Sequence, residues 1–319
     1  MKKLLLGKLL GKNLISASEE KKLREYLNND RPSLYPELNI LLFLSISVCC
    51  TGLGVLIYQN IESIGHQVLI ALNSLAVIAC FSYCVIKAAP FSKKEVTHTA
   101  PFFDFTLLAG CLLFLILEGY LQFQFEVFGN RYGLATLIPG LIFLYLAYYF
   151  DHKGVLVMAI TALASWLGIS LSPVDFFEND FKELIWSGII FGNILALACL
   201  FSERQNIKAH FSFTYLNYAA HILFISALTG MFMRSYTIIY ALLLSVLVIV
   251  FLYYAKHKRS FYFLLVTCIY GYIGLSYLLI ELVSDLASGD QEFYFILFYF
   301  IGSCAAIVAF FLNYKKLLR

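Results

Sequence analysis

The chain reads as an all-α polytopic membrane protein, a helical bundle of ten transmembrane spans with both termini in the cytoplasm. Three observations predict it. Hydrophobic residues fill 61% of the 319 positions and charged residues only 13%, about half the charged share usual in soluble domains. The apolar residues gather in ten runs, many approaching the roughly 20 residues that cross a hydrocarbon core. A buried strand stops after about four to eight. Finally, of 23 Lys and Arg residues, all but three fall in alternate gaps between the runs and none inside one. Basic residues in short loops stay on the cytoplasmic side, so this alternation demands an even number of spans.

Residues 1–37 form the one sizeable polar segment, followed by a membrane domain over 38–319. The opening Met1-Lys2-Lys3-Leu4-Leu5-Leu6 hints at a signal peptide. Gly7, Lys8, Gly11 and Lys12 interrupt it and no small-residue cleavage site follows, so the segment is expected to be retained. Leu5, Leu6, Leu9 and Leu10 share a face opposite several lysines, which suits either anionic lipid headgroups or a frayed tail. Ser16-Ala17-Ser18-Glu19 has capping-box spacing, in which the Ser and Glu side chains satisfy otherwise orphaned backbone donors. It predicts a short helix from Ala17 to Asn28.

The runs are Leu38–Tyr58, Gln67–Ile86, Phe103–Gln122, Leu134–Phe150, Val155–Leu171, Leu184–Phe201, Phe211–Met233, Ser235–Tyr254, Ser260–Val283 and Phe293–Tyr314. On the cytoplasmic side this places the N-terminal segment, Lys87/Lys93/Lys94, Lys153, Arg204/Lys208, Lys256/Lys258/Arg259 and Lys315/Lys316/Arg319. The outer side keeps Arg131, Lys182 and Arg234 beside acidic loops. The connection Asp151-His152-Lys153-Gly154 and the Arg234 junction are so short that runs four and five, and seven and eight, must be antiparallel hairpins. Five runs lie on each side of the Pro173–Lys182 loop, an odd count per half that would set the halves in opposite orientations, as in inverted-repeat transporters.

Small residues at four-residue spacing, Gly188, Gly192 and Ala196 on run six and Gly302 and Ala306 on run ten, predict helix seams, because a neighbouring backbone can approach there. Pro139 inside run four predicts a kink. All eight cysteines fall within runs and are expected to act as small apolar residues, with no disulfide framework.

Gly52-Leu53-Gly54-Val55-Leu56-Ile57-Tyr58-Gln59-Asn60-Ile61, preceded by the Leu14-Ile15-Ser16 to Leu27 helix, resembles the start of a bacterial membrane family, domain of unknown function 2157. That family similarly joins a short N-terminal helix with an "I-S-x-E-E"-like signal to a first span with a Gly-rich, Asn-containing exit. Here Glu19-Glu20 come one residue late. The resemblance covers about the first 90 residues. It implies a membrane compartment and carries no activity.

Ionisable groups at membrane depth cost roughly 2.5–3.5 kcal/mol each at a helix centre, which makes each a functional candidate. Glu118 and Glu281 lie near the outer ends of runs three and nine, and His221 near the middle of run seven. Glu118 shares a face with Gln122 and Cys111, and Glu281 with Tyr277 and Gly274. With no Lys or Arg at membrane depth, burial favours a neutral carboxyl, the form a proton-coupling acid needs. Alternatively both carboxylates are wetted near the headgroups or pair with Arg131 or Arg234. His221, Asn217 and Thr214 share a stripe that suits a water-filled path or interhelical hydrogen bonding. Asn73 and Asn193 are expected to satisfy each other or a backbone carbonyl. No catalytic, metal-ligating or cofactor-binding pattern stands out among these residues. The expected function is a secondary transporter or permease of a small solute in the bacterial cytoplasmic membrane, with no cofactor and no nucleic acid. The alternative is a scaffold, sensor or regulator that meets a protein partner through the N-terminal helix. An enzyme is the weaker expectation.

Overall fold

The computed structural model describes residues 35–59, 65–96, 102–129, 131–171, 182–233, 236–286 and 290–317. The predicted Ala17–Asn28 helix and the Pro173–Lys182 loop, up to residue 181, lie outside them. Among the described residues the regular structure is entirely helical: α1 (Tyr35–Gln59), α2 (His66–Lys87), α3 (Phe103–Phe125), α4 (Leu134–Phe150), α5 (Lys153–Leu171), α6 (Lys182–Gln205), α7 (Ser212–Phe232), α8 (Thr237–Lys258), α9 (Phe261–Leu286) and α10 (Asp290–Leu317), with one 3-10 turn at Ala209–Phe211. Each predicted run falls on one helix.

Seven of these are long and apolar enough to cross a membrane: α1, α2, α3, α6, α7 together with its 3-10 turn, α8 and α9. The shorter apolar helices are Leu134–Phe150, Lys153–Gly168 and Phe293–Cys304. At a rise of about 1.5 Å per residue, the 17 residues of α4 reach about 25 Å, short of a roughly 30 Å core.

The chain divides into two packing units, residues 1–56 and 57–319. In the first, α1 carries hydroxyls at apolar depth and satisfies them within itself. Ser45 Oγ donates to the Leu41 carbonyl at 2.7 Å and Thr51 Oγ1 to that of Ser47 at 2.8 Å. A hydroxyl that back-bonds one turn down its own helix costs little in lipid.

In the second unit, helix pairs adjacent in sequence pack closely: α2 on α3, α4 on α5, α6 on α7, and α8 against both α7 and α9. The predicted hairpins of runs four and five and of runs seven and eight are present. Helix α7 is the most enclosed, burying Leu216, Ala219, Ala220, Leu223, Phe224 and Ala227 among others. Gly192 explains its fit to α6. A Cβ there would lie 2.6 Å from Leu223 Cγ and one at Gly188 2.3 Å from Ser226 Oγ, so the expected seam on α6 is real. Among the described residues the seam expected on α10 has no neighbour at Gly302. A Cβ on Gly302 would meet nothing within 4 Å. Gly302 and Ala306 instead line an apolar groove between α9 and α10, because small residues permit close packing without supplying a partner. Pro139 lies buried inside α4.

Short connections bring alternate gaps to one end of this unit. Helix α4 closes on Asp151 in the left-handed conformation (φ 56°), whose N–H bonds back to the Ala147 carbonyl. Asp is among the non-glycine residues enriched in that region. The His152 ring accepts the Val155 N–H at 3.1 Å, satisfying a donor that the start of α5 leaves open. Between α6 and α7, Asn206 (φ 52°) and Lys208 (φ 51°) make a similar reversal. Lys153 and Lys208 thereby meet acidic partners in neighbouring connections and Lys258 meets Glu203 in the last turn of α6, and this is the basic end of the unit.

Candidate functional site

Glu118 is 7% exposed on α3, in line with buried Cys111 and Gln122 as their shared face requires. Gln122 is occupied. Its amide donates to the Gly129 carbonyl at 3.0 Å and its oxygen accepts the Phe128 N–H at 2.9 Å, which ties down the turn beyond α3. On α2, Asn73 Nδ2 donates to the Leu113 carbonyl at 3.3 Å, and His66 Nδ1 meets the Tyr120 hydroxyl nearer the helix end. Asn73 Oδ1 and both carboxyl oxygens of Glu118 are buried without a hydrogen-bond partner among the described residues. A carboxyl enclosed by helices has lost its water and, among the described residues, gained no hydrogen bond in return.

His221 on α7 has the opposite character. Its Nδ1 lies 2.8 Å from the Tyr270 hydroxyl and its Nε2 3.1 Å from that of Tyr262. The single Tyr262 proton goes to Asn217 Oδ1 at 2.6 Å. In a neutral imidazole, Nε2–H therefore donates to Tyr262 and Nδ1 accepts from Tyr270. Both tyrosines belong to α9, so of the two expectations for this stripe the interhelical hydrogen bonds are present. Thr214 is buried one turn below Asn217. Asn73 and Asn193 both use backbone carbonyls, Asn193 donating to Ile189 at 2.8 Å.

Glu281 is half-buried and lines a 690 Å³ cavity with Asp285, Tyr236 and Thr237, where α8 begins and α9 ends. The candidates thus occupy three places: Glu118 on α3, His221 with Asn217 and Thr214 on α7, and Glu281 on α9. No hydrogen bond between described residues joins one place to another. Among the described residues no group of three or more His, Cys, Asp or Glu is placed to hold a metal ion.

The densest polar cluster was not among the sequence candidates. It sits at the basic end around Asp151, whose side chain is 2% exposed. Asp151 Oδ1 lies 3.0 Å from Lys208 Nζ and 2.7 Å from His210 Nε2, while Oδ2 accepts the Val96 N–H. Lys208, at 1% exposure, also stands 5.2 Å over the Phe91 ring. Its backbone N–H donates to the Lys93 carbonyl at 2.7 Å and its carbonyl accepts from Ser202 Oγ. Two exposed pairs flank the cluster, Lys153–Glu95 at 2.8 Å and Lys258–Glu203 at 3.0 Å. The Lys153 hydrogen bond and charge hold the Glu95 carboxyl below its ordinary range. One sequence signal pointed here. Asp151 and Lys208 carry opposite charges in connections that the alternation of runs puts on the same side.

No curated protein and no solved structure matches the chain. Residues 8–156 match the family described as "Predicted membrane protein (DUF2157)", so the likeness first carried by the Gly52–Ile61 stretch extends through α4 and the Asp151 turn.

Proposed function

We propose that the chain is a secondary transporter of the bacterial cytoplasmic membrane, crossing it ten times with both termini inside, and that it couples movement of a small solute to protons through Glu118. The observation that carries the reading is the Glu118 carboxyl, buried among helices with neither oxygen engaged by any described residue. Intramembrane acids that serve only as interhelical ties find partners, and those that exchange protons must be free to ionise when water reaches them. Water reaches Glu118 only if α2 and α3 shift against each other or their neighbours, which links protonation to conformation. The acidic groove of Glu281 and Asp285, where α8 begins and α9 ends, suits cationic or protonated solutes.

The test is proton flux into liposomes holding the purified chain and a trapped pH dye, across a panel of small solutes. The wild type is expected to move protons with at least one solute. Glu118→Gln, which keeps the shape and removes the exchangeable proton, should cut that flux by roughly tenfold or more. An infrared difference spectrum should lose a protonated-carboxyl band in the same variant. Wild-type flux in Glu118→Gln would remove the proposal.

A further inference from the structure

We infer that residues 88–96 form a strap across the basic end of the bundle, latched by Asp151 and released as one piece. The segment has no regular secondary structure and Phe91, Lys93, Lys94 and Glu95 are exposed, so no apolar core of its own holds it. Four attachments fasten it: Val96 N–H to Asp151, the Lys93 carbonyl to Lys208 N–H, the Phe91 ring under the Lys208 ammonium, and Glu95 to Lys153. Three of these converge on the two residues, Asp151 and Lys208, whose buried ion pair also ties the α4–α5 turn to the α6–α7 connection.

That convergence makes the latch bistable. Closed, the strap gains its bonds to Asp151 and Lys208 but keeps that ion pair stripped of water. Open, the strap loses its attachments while both charges regain hydration, which offsets much of the loss. Two states close in free energy, joined by a few shared contacts, are what a switching segment requires. The charged groups facing Asp151 come from every packed element: Lys208 and His210 from the α6–α7 connection, with Glu95 and Lys153 at the rim. The strap stands on this geometry alone. Only its use as the inner gate of a transporter rests on the function proposed above.

Limited trypsin digestion of the full chain in lipid nanodiscs tests it, because the bonds after Lys93 and Lys94 must leave the strap to enter a protease site. In the wild type these bonds should cut slowly. Asp151→Ala should speed them by about tenfold or more, with cleavage after Arg259 unchanged as an internal standard, whereas Glu95→Gln should change them by less than about threefold. Equal rates in wild type and Asp151→Ala overturn the strap, as does an equally large effect of Glu95→Gln. Should Asp151→Ala fail to accumulate, hydrogen exchange in the wild type decides instead. The Val96 and Lys208 amides should be protected and exchange at one common opening rate, and unprotected or independent exchange overturns release as a unit. If Asp151→Ala frees the strap yet leaves solute-coupled proton flux at the wild-type level, the gate fails while the strap stands. Loss of flux in Glu118→Gln is read separately.

Discussion

Two buried carboxyls, Asp151 and Glu118, differ in how the fold answers them. Asp151 sits in a tight turn at the basic end, where it meets an ammonium, an imidazole and a backbone N–H. Glu118 sits in the C-terminal half of a long apolar helix and meets no donor among the described residues. Desolvation is similar at the two positions, and compensation is not. A compensated charge holds elements together, and its removal leaves its partners stranded. An uncompensated acid adds nothing to the fold in its charged form, so its presence calls for another reason.

The largest expected effect breaks the first half of that contrast. Asp151→Ala leaves Lys208 charged and buried opposite an empty position, a change that typically costs about 3–5 kcal/mol. Denaturation in detergent, followed by far-ultraviolet circular dichroism, should show a loss of that order. The double variant Asp151→Ala/Lys208→Met should recover much of it, because no lone charge then remains. A single variant as stable as the wild type would mean that water already reaches the pair.

Glu118→Leu sharpens the second half. A buried polar group without a partner costs about 1–3 kcal/mol, and leucine of comparable length removes it while filling the same space. The same denaturation experiment should therefore show stability unchanged or raised by up to about 2 kcal/mol. A loss as large as that of Asp151→Ala would reveal a partner for Glu118 and return it to the class of Asp151.

The contrast also marks what the sequence could disclose. Hydrophobic runs located ten helices, and Leu134–Phe150 matches α4 residue for residue. Helix α8 continues past the end of its run at Tyr254 to Lys258, since Lys256, His257 and Lys258 suit the negative end of the helix dipole, an effect hydropathy does not register. Glu118 was legible because an acid in an apolar run is conspicuous by itself. Asp151 was not, because a charged residue in a connection is ordinary until the fold brings Val96, Lys208 and His210 around it from two other connections. The small-residue stripes failed for a related reason. Gly192 and Gly302 look alike in sequence, yet one faces Leu223 and the other meets no described residue within 4 Å. Whether a neighbour arrives is decided by distant parts of the chain.

The smallest effect belongs to Glu95, the exposed counterpart that shares the Asp151 neighbourhood without its burial. Lys153 holds its carboxyl below the ordinary range, so the ionised form is favoured in the folded state. The pair's contribution is therefore complete above the ordinary carboxylate range and is lost as pH falls through the depressed folded value. Both side chains are more than half exposed, and water and salt screen such pairs to about 0–1 kcal/mol. Glu95→Gln should accordingly lower stability by no more than that at neutral pH, and the difference from wild type should shrink with acid and with added salt. A difference that instead survived high salt would place Glu95 in the same desolvated environment as Asp151, and the line between a latch and its screened surroundings would have to be redrawn around both residues.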